Sequence, residues 1–510
     1  MLSDVDLRPP PPVPEPYNLA ADVLAAGLTT PDRIALRLVG PAGAERWSFA
    51  RLTAAVQGTG AGLLAAGLEP GDRLLMRLGN TPDFPIVFLG AVAAGILPVP
   101  TSAQLSVPEI TRIAADIAPA AIAAAPGLAL PEAPGVPVLD PAALRAMHDL
   151  PGCAWDMGPA ERPGYIVYTS GTSGVPRAVV HAHRAVRARR MMWDGWYGLR
   201  GTDRMLHAGA LNWTYTLGTG LLDPWAAGAS ALIPAAGVTP EALPLLMRRH
   251  DATLFAAAPG LYRQMLKAPG WPALPALRHG LSAGERMPEA TRAAWTAATG
   301  TPVHEAFGMS EVSTFLSGSP DRPAPAGSGG RVQPGRRVAI LGAKGAPVPR
   351  GTPGLIAVHR TDPGLFLHYW NAPAETAARH IGDWFVTGDI GVMDAEGAVT
   401  HLGRDDDMMN AGGVRVSPVE VEEALTAHPA IAEAAACEVS LRADVSVIAA
   451  FYTGPAPLDE AALAAHVAAR LARYKQPRLY VWRASLPRNA NGKLARKTLR
   501  AEWEAAHAPA

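Results

Sequence analysis

The 510-residue chain is short of cysteine, of charge imbalance and of long apolar runs, and each shortage removes a class of function. Only Cys153 and Cys437 occur, far apart in sequence. Two such cysteines make neither a disulfide framework nor a thiolate metal site, which fits a reducing compartment. Lys plus Arg and Asp plus Glu both number 45, so the formal net charge is zero. No basic field exists to hold nucleic acid or anionic lipid, and no nucleic-acid partner is expected. The Ala-rich stretches are broken by Pro, Asp or Gly before they reach the ~20 apolar residues that span a bilayer. Met1-Leu-Ser-Asp-Val-Asp6 runs into the proline stretch from Pro9 without the positive and apolar regions of a secretory signal. The expectation is a cytoplasmic protein with no membrane partner.

What is present reads as alternating strand and helix. Ser48 can cap a helix running to about Ala66 and Gly67 can end it. A strand follows at Arg73–Leu78, and Asn80 and Pro82 open the next helix, which Gly95 stops before extended structure at Ile96–Pro100. Such βαβ alternation argues a parallel sheet covered by helices. Similar units near 163–235 and 250–310 predict two sheets in one large domain. Gly and Pro become frequent between Ser317 and Gly354, and short β-like runs at Leu355–His359, Trp384–Val386 and Ala398–Leu402 predict a small β subdomain. After about residue 405 the pattern becomes a compact αβ tail, where Ser417-Pro-Val-Glu420 is a capping-box signature. The expected fold is therefore α/β: an N-terminal domain over 1–405 with two helix-covered sheets and a small barrel-like β subdomain, then a mobile α+β domain over 406–510.

One loop carries the chemistry. Tyr165-Ile-Val-Tyr-Thr-Ser-Gly-Thr-Ser-Gly-Val-Pro-Arg177 is an apolar strand emptying into small hydroxyl and glycine residues. Gly171 and Gly174 let the backbone approach an anion, Ser170, Thr172 and Ser173 add hydroxyls, and Arg177 supplies fixed charge. The spacing lacks the Gly-Lys-Ser/Thr ending of a P-loop ATPase.

Five further segments follow in order: Ser282-Ala-Gly-Glu-Arg286, Ala306-Phe-Gly-Met-Ser-Glu311, Thr387-Gly-Asp389, Gly403-Arg-Asp-Asp-Asp-Met-Met-Asn-Ala-Gly-Gly-Val-Arg415 and Pro487-Arg-Asn-Ala-Asn-Gly-Lys493. Together with the loop, they make the chain resemble the adenylate-forming superfamily of acyl-CoA synthetases, nonribosomal adenylation domains and luciferases. The resemblance runs from about residue 47 to Arg500, and its flavour is that of acetyl-, medium-chain and aryl-CoA ligases. It implies two half-reactions: carboxylate plus ATP gives acyl-AMP and pyrophosphate, and a thiol then takes the acyl group. ATP, Mg²⁺ and CoA would be the co-substrates and metal.

The resemblance also implies roles. Thr169 to Gly174 and Arg177 would hold the phosphates. Glu311 would bind the magnesium ion, with Thr172, since a hard cation bridging phosphates wants only one or two protein oxygens. Asp389 would accept both ribose hydroxyls, with Arg404 and Arg415 nearby. Gly284, Glu285 and Arg286 with Glu305, Ala306, Phe307, Gly308, Met309 and Ser310 would line the adenine and α-phosphate. Lys493 would stabilise charge between carboxylate and α-phosphate as the bond forms. Asp406 matches the family's hinge, and Gly412 and Gly413 its pantetheine tunnel. Arg177 and Ser310 depart from the family's usual Lys and Thr but keep the charge and the hydroxyl.

The acyl pocket is expected near Leu211–Gly218 and Phe307–Glu311, with Trp213 as an aromatic gate and Gly308 leaving space that a Trp fills in acetate enzymes. Tyr215 stands where amino-acid-activating domains place an Asp, and a buried ammonium without a carboxylate would cost several kcal/mol. The expected substrate is an apolar acid larger than acetate, medium-chain or aromatic. Free CoA is the expected thiol, since no carrier domain follows Arg500. The alternatives are loading of a separate carrier protein and, from another class, a non-catalytic AMP sensor.

Overall fold

The computed structural model describes the chain except residues 134, 170–175, 406, 412–413, 443–444, 472, 490–491 and 508–510, and gives only the backbone of 410, 411, 414, 415, 442, 445 and 474. Its residues fall into two compact units: one comprises Val5–Val338 and Val358–Phe385, the other Met1–Asp4, Ala339–Ala357 and Val386–Ala510. The boundary expected near 405 lies inside the second unit. The chain passes between the units within the strands Asp4–Asp6, Arg337–Leu341, Gly354–His359 and Trp384–Met393.

The larger unit holds a nine-stranded sheet. Its six central strands run parallel in the order Val303–Met309, His279–Ala283, Leu254–Ala257, Arg204–His207, Ser230–Pro234 and Ile34–Gly40. In a parallel sheet both faces are buried, and the alternation of Leu254-Phe-Ala-Ala257 shows it. Phe255 and Ala257 join Tyr262, Met265 and Trp295 on one face; Leu254 and Ala256 join Trp196, Tyr197 and Leu281 on the other. A second, four-stranded parallel sheet has the order Leu97–Pro100, Arg73–Arg77, Ala121–Ala124 and Val138–Leu139. The two expected sheets are thus present, and a short antiparallel sheet of Pro163–Thr169, Arg177–Ala182 and His368–Tyr369 joins them in this unit. The predicted helix after Ser48 spans Phe49–Ala65, with the Ser48 hydroxyl accepting from the Arg51 N–H.

In the smaller unit, Trp384–Met393 pairs with Val399–Arg404 as an antiparallel hairpin. A three-stranded sheet of Glu433–Arg442, Val445–Thr453 and Leu479–Trp482 follows. Its alternating side chains divide between two helix layers. Ala436, Ile448 and Ala450 pack with Val421 and Leu425 of helix Pro418–Thr426 and with Leu463 of Glu460–Ala468; Cys437, Ala449 and Phe451 pack with Leu499 and Trp503 of Arg496–Ala506. The Ser417 side chain accepts from the Glu420 N–H, as the capping signature predicts. The helix Glu460–Ala468 is capped by the Asp459 side chain, which accepts from the Ala462 N–H.

Candidate active site

Glu311 sits at the tip of a hairpin. Val303–Met309 turns back through residues 310–312 into Ser313–Ser317, with Met309 opposite Ser313 and the Val312 N–H on the Met309 carbonyl at 3.2 Å. Ser313 closes the turn at φ 70°, a left-handed position that glycine usually takes in three-residue hairpin loops. The Glu311 side chain is buried, and its Oε1 accepts from the Tyr369 hydroxyl at 2.7 Å. Burial and the neighbouring Glu311 push the Tyr369 phenol up to about 12, so it stays a donor at neutral pH. The Arg177 guanidinium lies over the Tyr369 ring, 5.3 Å from its centroid, and its Nε meets Glu375 at 2.7 Å. Glu311 and Arg177, 134 positions apart, are therefore joined through Tyr369.

Gly308 has a reason within the hairpin itself. A Cβ there would overlap the Ser313 carbonyl oxygen and the Thr314 Cα. The hairpin carries a register shift between Phe307 and Gly308, and the glycine lets the two strands approach at that irregularity. Its Cβ direction points into the backbone of Ser313 and Thr314, a structural reason for the glycine alongside the pocket role expected of it.

Ser282 pairs with Glu305 and Ala283 with Ala306 on adjacent parallel strands. Gly284, Glu285 and Arg286 thus leave one strand end beside the stretch from Ala306 to Ser310 leaving the next, which is where open α/β sheets bind ligands. Gly284 turns there at φ 95°. Phe307 meets Phe315 edge to face at 5.5 Å. Glu305 is committed elsewhere: its carboxylate accepts from the Met287 N–H at 3.2 Å and from Arg292 at 2.9 Å. Burial outweighs Arg292 and raises its pKa to about 7.

In the smaller unit Asp389 stands opposite Arg404 across the hairpin. The buried Asp389 carboxylate lies 3.4 Å from Arg404 Nη1 and 3.1 Å from His401 Nε2. Its own N–H donates to Thr387 Oγ1. Acidic oxygens are held here by two basic side chains from the partner strand; sequence reasoning found Arg404 and missed His401, which carries no motif signal. Lys493 is exposed on a tight loop: its N–H donates to Asn489 Oδ1 at 3.0 Å, its carbonyl accepts from Asn489 at 2.8 Å, and Gly492 turns at φ 77°. Ser170, Gly171, Thr172, Ser173, Gly174, Asp406, Gly412, Gly413 and the Arg415 side chain lie outside the described residues. Thr169 ends the strand that leads to the loop.

A cleft in the larger unit is lined by Thr214, Leu217, Gly218 and Leu222 of one segment and by Ser310 and Ser313 of the Glu311 hairpin. These are the two segments expected to form the acyl pocket, though Trp213, Tyr215 and Gly308 do not line this cleft. The Tyr215 hydroxyl donates to the Leu281 carbonyl at 3.1 Å, and its ring stacks on Trp196 and meets His207 edge-on. Arg189 and Asp223, which no motif announced, face each other at the cleft: Nη2 reaches Asp223 at 2.6 Å and both side chains are buried. Gly218 makes room for that guanidinium.

Parallel helix-covered sheets that deliver these segments to neighbouring strand ends define an α/β enzyme of adenylate-forming architecture. The chain belongs to the AMP-binding enzyme family, whose sequence profile matches residues 25–370 and whose C-terminal domain profile matches residues 420–493. It is similar to the benzoate–CoA ligase of Thauera aromatica, 31% identical with 96% of each chain covered. It is also similar to the anthranilate–CoA ligase of Pseudomonas aeruginosa, 31% identical over 86% of this chain and 88% of that one. Among solved structures, an anthranilate CoA ligase in complex with anthranoyl-AMP superposes with a TM-score of 0.88, at 27% identity, over 98% of this chain and 99% of that one. No helix among the described residues is long and apolar enough to cross a membrane.

Proposed function

We propose that the protein is an AMP-forming carboxylic acid–CoA ligase acting on an aromatic acid. The observation that carries this reading is the buried Glu311 on its hairpin, tied through Tyr369 to Arg177, in a family member whose full-length relatives are benzoate and anthranilate CoA ligases.

The first half-reaction brings one anion to another, so the site must neutralise charge and fix an in-line approach. Arg177 and the 170–174 loop bind the β and γ phosphates. Glu311 fits a magnesium ion: its buried carboxylate is a hard oxygen donor of the kind such an ion takes, and it would hold the ion with Thr172. A magnesium ion held there would neutralise charge on the leaving pyrophosphate. Asp389, oriented by His401 and Arg404, accepts the ribose hydroxyls. Lys493 stabilises the charge passing between the acid's carboxylate and the α-phosphate. In the second half-reaction the CoA thiol attacks the acyl carbon and AMP leaves, with Gly412 and Gly413 lining the pantetheine path. The boundary near 405, with Asp406 as pivot, separates the part that binds ATP and acid from the part that presents Lys493 and the tunnel in turn.

The test is acid-dependent pyrophosphate release with a panel of aromatic and medium-chain acids, followed by CoA-dependent AMP formation. Glu311→Gln lowers the first step by about 10² or more. Wild-type release by this variant at low magnesium overturns the assignment of Glu311.

A further inference from the structure

The loop that carries Glu311 is gripped from outside its own hairpin. At its start the Ser310 carbonyl lies 2.8 Å from His181 Nε2; a carbonyl oxygen only accepts, so Nε2 carries the hydrogen and donates. At its end Ser313 Oγ accepts from Arg189 Nη1 at 2.5 Å. Between them the Glu311 carbonyl accepts from the Phe366 N–H at 2.7 Å. Neither His181 nor Arg189 takes part in the chemistry proposed for Glu311.

Both side chains are themselves held. Arg189 Nε and Nη2 grip the Asp223 carboxylate at 3.0 and 2.6 Å, and Nη2 also reaches the Tyr197 hydroxyl at 3.1 Å and Thr219 Oγ1 at 3.3 Å. The Tyr197 hydroxyl is in turn 2.8 Å from Asp223 Oδ2, and all four residues are buried. A buried ion pair gains little net stability over an apolar pair of similar volume. What this one gains is direction: a guanidinium is a rigid planar fork, so fixing Nε and Nη2 leaves Nη1 aimed at Ser313. His181 lies in the strand Arg177–Ala182, and Tyr165 of the neighbouring strand stacks on its ring with centroids 4.8 Å apart and planes at 16°. The strand that begins with Arg177 thus reaches the Glu311 loop four residues later.

Ser313 makes the clearest case. Its φ of 70° suits glycine, and a serine there bears a backbone cost that glycine would not. The hydroxyl that glycine lacks is the atom Arg189 holds.

We infer that Arg189 and His181 are positioning residues for Glu311: acting through Ser313 and Ser310, they fix the two ends of its loop and so the direction of its carboxylate. The inference rests on the ligase reading above and deepens its account of Glu311.

The experiment uses Ser313→Gly, which keeps the left-handed turn and removes the hydroxyl, and the pair His181→Phe and His181→Gln. The first of that pair removes the donor to Ser310 and the second replaces it with an amide N–H. The two half-reactions are assayed separately, with the acid that gives the wild-type protein its fastest pyrophosphate release in the panel above. Calorimetry measures ATP affinity without acid, in the presence and absence of Mg²⁺. Ser313→Gly and His181→Phe lower kcat for acid-dependent pyrophosphate release by about tenfold or more, the size of loss expected when a group that orients a metal ligand is removed. Both weaken ATP binding when Mg²⁺ is present and leave it unchanged when Mg²⁺ is absent. Both convert supplied acyl-AMP and CoA to the thioester at the wild-type rate, and His181→Gln recovers most of the loss. Equal loss in the two half-reactions marks a lesion of the fold and overturns the inference, as does ATP binding weakened equally with and without Mg²⁺. A change confined to the KM for the acid overturns it too, because the side chains then serve the acid and not Glu311. So does wild-type pyrophosphate release by Ser313→Gly and His181→Phe, and a His181→Gln no better than His181→Phe overturns the role of His181. Should the wild-type protein release pyrophosphate with no acid of the panel, the ligase reading itself fails, and the inference with it.

Discussion

Tyr369 carries no sequence motif, yet it joins the charged residues of the larger unit. Its hydroxyl fixes one oxygen of Glu311 and its ring lies under Arg177. Hydrogen bonds to charged groups are worth about 1.5–3 kcal/mol. Tyr369→Phe is therefore expected to lower acid-dependent pyrophosphate release about tenfold or more, and equal rates in the two proteins would show that Glu311 is positioned by other contacts. Glu305 gives a pH signature. Its folded pKa is raised from 4.5 to about 7, so the folded state holds the proton more tightly than the unfolded chain. That contribution to stability is fully present below pH about 4.5 and is lost as pH rises through about 7. Glu305→Gln cannot ionise and keeps an amide for Arg292 and Met287. Its Tm should fall less than the wild type's between pH 5 and 8; parallel Tm profiles would rule out Glu305 as the titrating group.

At the scale of elements, the hairpin Val303–Ser317 is the piece on which the larger unit's site depends. Its three-residue loop, left-handed Ser313 and register shift at Gly308 together aim Glu311 at Tyr369. Because a Cβ at 308 would overlap backbone that cannot move aside as a flexible side chain does, Gly308→Ala should destabilise by about 1–3 kcal/mol. A thermal melt with an acid panel checks it: Tm falls by several degrees and activity falls for all acids alike. A selective loss of the larger acids, with an unshifted Tm, would assign Gly308 to the acyl pocket instead. The elements themselves were largely legible. Ser48, Gly95 and Ser417 mark real ends because caps and left-handed stops act within a few residues of their own position. The irregularity at Gly308 was not legible, since a glycine looks the same whether it clears space for a ligand or for a neighbouring strand.

At the scale of the whole molecule, the proposed function asks one C-terminal region to present Lys493 in the first half-reaction and the Gly412 and Gly413 segment in the second. Lys493→Ala is expected to abolish acyl-AMP formation yet convert supplied acyl-AMP to the thioester. Asp406→Pro, which fixes φ near −65°, keeps the first step and loses the second. Assaying the steps separately decides the matter, and equal impairment of both steps in both variants contradicts the alternation. The order of the motifs from Tyr168 to Lys493, the α/β alternation and the family were determined by the sequence alone, because turn chemistry, capping and phosphate-binding loops are written in consecutive residues. Tertiary structure decided the partners: Tyr369 for Glu311, His401 for Asp389, Arg292 for Glu305, and Asp223 for Arg189 beside a bare His181 nitrogen. Two of these pairs are 58 and 34 residues apart, and the other two meet only across a hairpin or from a helix to the strand beside it. A hydrogen bond or ion pair between them depends on strand register and crossover connections, which no local pattern in the chain encodes.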